Sequence, residues 1–276
     1  VATYVWQSTD GDGQNPASWG GTVPGTGDTA AFKGTSQVSM AAGMAFSGDP
    51  LFVVYPQYKG NIGTPSEGVS VNTTSSPWIH RGSGTFYQGA SPVENVILDS
   101  HLFGHNTYEL LTDGRIVNLW IKSGRAHIHG AALSNSLVAI LGEQARCVIE
   151  EETVAAVDPW RVIVAGGVLE NKRNYTGVFS DPTILLTGGI LDQTGILQDN
   201  MAIRITGGEL RYHPRNDPVA ETIGPHIVVL GGILDLSEMQ FPFNGTVIVG
   251  PRGKVVGNNV DTIGSIVDFD LRQDYP

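Results

Sequence analysis

Two histidines, His127 and His129, stand two residues apart in the string Ala126-His127-Ile128-His129-Gly130. On an extended strand that spacing puts both imidazoles on one face, where they can hold a metal if a third ligand arrives from a neighbouring segment. The sequence offers no clear third ligand, so exposed or hydrogen-bonded histidines are expected. The carboxylates that could act on a glycosidic bond are Asp99, Glu150, Glu151, Glu152, Asp192 and Asp235. Such hydrolysis needs two carboxyl groups ~5–10 Å apart in a groove. The run Glu150-Glu151-Glu152 alternates faces on a strand, and a solvated turn explains it more simply. Residues 8–15 (Ser-Thr-Asp-Gly-Asp-Gly-Gln-Asn) carry oxygen ligands suited to calcium. They lack the closing Glu of a twelve-residue loop and flanking helices, and so read as a plain turn. Cys147 is the one cysteine. It excludes an intrachain disulfide and a Cys-based zinc site, and reads as a buried small hydrophobe. No nucleophile elbow, Ser-His-Asp spacing or phosphate loop is found. No catalytic residue, cofactor or metal is expected, and the chain is not expected to be an enzyme.

The glycines explain why these residues should be read as parts of rows. Four pairs recur in similar strings: Gly166-Gly167, Gly188-Gly189, Gly207-Gly208 and Gly231-Gly232. Their first members are spaced 22, 19 and 24 residues apart. Ser100, Ser123 and Gly142 extend the series upstream, and residues 247–256 continue it less closely. Each unit has a short alternating strand, small residues, a second alternating piece and a loop of variable length. Helix periodicity is poor and β-branched residues are frequent. A unit this short cannot bury its apolar face alone, so units must stack. The fold expected is all-β: a parallel β-helix or similar β-solenoid of about 8–10 coils over residues 51–257, with a loop-rich cap over 1–50. A sandwich or barrel is the alternative, but hairpin dipeptides between paired apolar runs are few. The glycine pairs are then tight coil bends, where a Cβ would crowd the stacked backbone.

Alignment on the glycines gives an outward row of His127, Arg146, Glu170, Asp192, Arg211 and Asp235. A surface salt-bridge ladder is expected from it, with Arg146 beside Glu170 and Arg211 between Asp192 and Asp235. Trp78, Trp120, Trp160 and the Phe241-Pro242-Phe243 string fall in coil or loop positions. Exposed there, aromatics could stack on sugar or form a subunit interface, and the interface is favoured for Trp120. The strings 112–115 and 251–253 read as turns.

Composition bounds the partners. The 36 glycines among 276 residues are about 13%, well above the usual ~7%. The net charge of −11 argues against nucleic acid and against an anionic membrane surface. No apolar run approaches the ~18 residues of a membrane span. No basic segment followed by an apolar core opens the chain, so a secretory signal is expected to be absent or already removed.

The N-terminal stretch differs from the repeats. Its order is Trp6, Asn15-Pro16-Ala17-Ser18-Trp19-Gly20-Gly21, Pro24, Gly27-Asp28 and Ala31-Phe32. This resembles an opening motif that precedes β-helical repeats in autotransporter-type surface proteins and in structural proteins of tailed bacteriophages. Residues 51–65, with Tyr58-Lys59-Gly60-Asn61-Ile62-Gly63, resemble a piece that follows the motif in phage particle proteins. The long Asn/Gly/Thr-rich repeats and membrane barrel of autotransporters do not follow. Trp6, Trp19 and Phe32 are spaced as anchors of a cap or interface, and residues 258–276 as a closing strand or an arm onto a neighbour.

What the resemblance implies is a virion structural protein, most specifically a head decoration or cement protein on the capsid surface. It would be a homo-oligomer, a trimer by analogy, bound to the major capsid protein. Two other readings stand beside it. One is a carbohydrate-binding or -cleaving β-helix of tailspike or lyase type, although no polygalacturonase-like carboxylate set is present. The other is a secreted adhesin.

Overall fold

Among the described residues, the alternation of apolar and polar residues builds twenty strands, each parallel to its paired neighbours in one continuous sheet. The computed structural model describes residues 1–72, 77–90, 92–100, 106–111, 115–129, 137–150, 161–173, 182–197, 201–214, 225–239, 243, 245–257 and 266–268. Among them the one helical element is a 3-10 turn, Pro16–Trp19, capped by the Asn15 side chain and ended by Gly20 in the left-handed region.

The chain coils as a β-solenoid of about nine turns, each contributing to two parallel ladders. The first ladder runs through β1 (Thr3–Val5), β2 (Thr29–Phe32), β3 (Leu51–Val54), β4 (Trp78–His80), β6 (Pro92–Leu98), β8 (Arg115–Ile121), β10 (Leu137–Ile140), β12 (Arg161–Val164), β14 (Pro182–Leu186) and β16 (Ala202–Ile205). The second runs through β5 (Thr85–Gln88), β7 (Thr107–Leu110), β9 (Gly124–Ile128), β11 (Ala145–Ile149), β13 (Val168–Asn171), β15 (Ile190–Gln193) and β17 (Glu209–Tyr212). The long strands β18 (His226–Asp235) and β19 (Thr246–Val256) serve both ladders, and β20 (Ile266–Asp268) pairs with β19.

The first ladder reaches β1, so residues 3–54 are hydrogen-bonded into the same stack as the later coils, with Thr29 opposite Leu51. Of the C-terminal segment 258–276, only Ile266–Asp268 is described; the rest lies outside the described residues. The string 251–253, expected as a turn, lies inside β19, where the register against β18 slips by one residue. The string 112–114 lies outside the described residues.

Inward side chains form unbroken columns between the ladders. On the first ladder Leu119, Val138, Val162, Ile184, Ile203 and Ile227 stack coil on coil, each at 0–1% exposure. Each fully buried aliphatic side chain contributes ~1.5–3 kcal/mol. The N-terminal third uses rings instead. Trp6, Trp19 and Phe32 pack with centroids 4.9–5.5 Å apart, and the chain continues through Phe46, Phe52, Trp78, Phe86 and Tyr108. Trp6 donates to the Val38 carbonyl and Trp19 to the Gly13 carbonyl, so both buried indoles are satisfied.

The glycine pairs occupy the bend between the two ladders. The second member of each has a positive φ: 65° at Gly167, 69° at Gly189, and 79° at Gly208 and Gly232. A Cβ on Gly189 would lie 2.5 Å from the Gly167 carbonyl oxygen, and one on Gly208 2.5 Å from that of Gly189. Gly232 stands over Gly208 in the same way. First members are blocked by the preceding coil too: Gly166 by Gly142, Gly188 by Ala165, Gly207 by Thr187 and Gly231 by Thr206.

Candidate functional site

The second ladder presents an outward row of Glu109, His127, Val148, Glu170, Asp192, Arg211 and Asp235. Arg146 is not in it. It pairs with Arg125 and Val168, two residues from the expected register. The bend from Ile140 to Arg146 is two residues longer than that from Val164 to Val168, so alignment on Gly142 fixes the first ladder and misplaces the second. The Arg146 guanidinium still reaches Glu170 diagonally. Arg211 lies between Asp192 and Asp235 in register but turns its guanidinium to Glu209, at 2.8 and 3.2 Å. That bond, then its acidic neighbours, raise the Arg211 pKa. Asp192 takes His213 instead, at 2.5 Å. The continuous salt-bridge ladder is therefore broken into local pairs.

Upstream the same face gathers titratable groups. His127 Nδ1 lies 3.3 Å from Glu109 Oε2, and His129 Nε2 lies 2.5 Å from that oxygen. His127 Nε2 lies 2.9 Å from Glu150 Oε1. Lys172 donates to both Glu150 oxygens at 2.9 and 2.7 Å. This bond first, and His127 second, hold the Glu150 carboxyl below the usual range against its partial burial. A cavity of about 510 Å³, lined by Pro65, Ser66, Tyr87 and Leu111, opens beside Glu109, His127 and His129. Sequence reasoning missed Glu109. The signal was present: Tyr108 and Leu110 point inward opposite Ala126 and Ile128, which forces Glu109 out beside His127. Glu151 and Glu152 lie outside the described residues. Asp99 meets Arg81 at 3.6 Å, on the other ladder.

The aromatics divide sharply. Trp6, Trp19 and Phe32 are buried at 0–2% exposure and anchor the first coils internally, so none of them is an interface residue. Trp78, expected to be accessible to sugar, is also buried, between Phe52 and Phe86 in the inward column. Phe243 packs inside against Tyr212. Trp160 lies outside the described residues. Trp120 faces out. It belongs to a row on the first ladder that reads Val53, Ile79, Ile97, Trp120, Ala139, Ile163, Leu185, Arg204, Val228 and Ile248. All but Arg204 are apolar, and most are half-buried, as mid-sheet residues are when only their neighbours cover them. Leu141, exposed, flanks the row.

The Ser8–Asn15 string closes on itself. The Asp10 carboxylate accepts from the Ser8 hydroxyl at 2.7 Å, the Asp12 backbone at 3.1 Å and the Asn15 amide at 2.7 Å. These bonds hold it well below the usual carboxylate range. Cys147 is fully buried, and burial pushes its thiol pKa up.

Compared with protein-family models, with curated proteins and with solved structures, the chain matches none. No helix among the described residues is long and apolar enough to cross a membrane.

Proposed function

We propose that this chain is a structural component of a tailed-phage particle, most specifically a head decoration protein that bridges subunits on the capsid surface. The observation that carries the reading is the apolar row centred on Trp120 and Ile163. A sheet with one face on a core normally alternates apolar-in with polar-out. Here the outward face repeats apolar residues in register along the shaft. Nine apolar rungs ~4.8 Å apart give a strip ~40 Å long, bordered by outward residues of mixed polarity such as Asn118, Leu137 and Arg161. A rigid strip of this size suits packing against copies of the chain and against a shell protein. The net charge of −11 keeps the remaining surface soluble and repels nucleic acid. The role is mechanical: buried interface area offsets the outward force on the shell.

The experiment is purification of intact particles from a host expressing the gene, followed by quantitation against the shell protein. Recovery in fixed stoichiometry with the shell supports the reading. Recovery only in particle-free medium overturns it.

A further inference from the structure

The side-chain geometry at the start of the second ladder points to a metal site. We infer that Glu109, His127 and His129 bind one divalent transition-metal ion of the zinc class, with its remaining coordination positions open to the adjoining cavity.

Glu109 and His127 are direct register partners on neighbouring coils, so their side chains leave the sheet side by side. His129 follows two residues on and leaves the same face. One donor atom from each lies within 4.8 Å of the other two. Zinc holds imidazole nitrogens at ~2.0–2.1 Å and carboxylate oxygens at ~2.0–2.2 Å, which sets ligand atoms ~3–3.5 Å apart. His127 Nδ1 and Glu109 Oε2 already stand at 3.3 Å. The His129 Nε2 to Glu109 Oε2 distance of 2.5 Å opens to this value by a small rotation of the Glu109 side chain.

A second, independent feature selects the tautomer. Glu150 Oε1 sits 2.9 Å from His127 Nε2, and Lys172 holds Glu150 in place through both carboxylate oxygens. With an ion on Nδ1, the ring proton sits on Nε2 and donates to Glu150 Oε1. A carboxylate behind a ligating imidazole is the usual support of a histidine–metal bond. Two imidazoles and one carboxylate form a donor set of borderline softness, which favours zinc and its neighbours over calcium or magnesium. The cavity of about 510 Å³, lined by Tyr87 and Ser66 among others, leaves room for water or a small anionic ligand on the ion.

The test uses the full chain, stripped with chelator and titrated with zinc alone by calorimetry and with cobalt(II) by absorption. One saturable equivalent is expected. His129→Ala and Glu109→Gln should each weaken it at least ~10-fold, and Glu150→Gln should weaken it ~10-fold through His127. His226→Ala, on the opposite ladder, should leave it unchanged. In the unmodified protein, cobalt should shift or broaden the ring protons of His127 and His129 and spare those of His226. That last measurement does not depend on any variant folding. The inference is overturned if zinc uptake does not saturate at micromolar concentration, if it is indifferent to these substitutions, or if cobalt perturbs other histidines instead.

Discussion

Gly189 lies directly over Gly167, so close that a Cβ on Gly189 would sit 2.5 Å from the Gly167 carbonyl oxygen. Gly189 is also held at φ 69°. Two costs therefore coincide at this position, and they can be separated by comparison. Gly27 has φ 79° but open space around it. Gly27→Ala should cost about 1 kcal/mol, the strain of the left-handed backbone alone. Gly189→Ala should cost at least about 2 kcal/mol, because the coil beneath must also move. Urea unfolding of the two variants measures the difference. Equal costs would mean that the stacked backbone yields freely.

His80 occupies the inward column of the first ladder, between Val54 and Leu98. Burial pushes its pKa down to about 4, against a weaker opposite pull from the Gly84 carbonyl, which accepts from Nε2 at 2.8 Å. The unfolded chain protonates this residue near pH ~6.5. Between those values the unfolded state binds a proton that the native state refuses. Stability is therefore full above pH ~6.5 and falls by up to about 3 kcal/mol as the pH drops toward 4. Unfolding curves at pH 7 and pH 4.5 check this, and a His80→Leu variant should lose most of the slope.

Asn171 and Gln193 stack in adjacent coils of the second ladder, both buried at 0–1% exposure. Asn171 donates to the Gln193 side chain at 2.8 Å, and Gln193 donates to the Arg173 and Gly195 carbonyls, each at 3.0 Å. Gln193→Leu strands the Asn171 amide and should cost about 2–3 kcal/mol. Replacing both residues by Leu should cost less than the sum of the single changes, as a double-mutant cycle will read.

The Cys147 thiol should resist labelling by a disulfide reagent at pH 8 in the native state and react fully once the chain is unfolded in denaturant. Rapid native labelling would contradict its burial beneath the second ladder.

Trp120 and Ile163 face outward at equivalent positions of the apolar row. Changing either to Glu should shift folding stability by less than about 1 kcal/mol. The same change should abolish self-association if this face is an interface, as sedimentation would report.

Much of the solenoid was legible because its first ladder keeps constant phase. The offsets between Gly142, Gly166, Gly188, Gly207 and Gly231 match the strand pairings of that ladder, since length variation is confined to loops and bends. The second ladder was less legible at Arg146, because two extra residues in the Gly142–Ala145 bend shift it without disturbing the first. Glu109 escaped notice because its coil carries no glycine pair to align. Trp78 was misjudged for a different reason. It was placed in a coil or loop position, whereas it opens the short strand Trp78–His80, which turns the indole and His80 inward. His80 Nε2 donates to the Gly84 carbonyl in the following bend.

The aromatic chain in the N-terminal third has a mechanical meaning. Among the described residues, β3 and β4 are paired through Val53–Ile79 and Val54–His80, and two bridges, Ile62–Phe86 and Val69–Gln88, join the same coils on the other face. At the opposite end, β18 and β19 are zipped from His226–Thr246 to Asp235–Val256. A shaft pulled from its two ends carries the load in series through every junction and parts at the weakest. Phe52, Trp78 and Phe86 cross the sparse junction with ring centroids 4.9–5.7 Å apart. Ring packing there adds short-range dispersion to separate backbone hydrogen bonds such as Arg81 to Val54 and Tyr87 to Ile62, whereas the zipped end can shed a continuous run of them one after another. The two ends are thus held differently: the N-terminal coils by interlocked rings across short pairings, the C-terminal coils by one long hydrogen-bonded zipper.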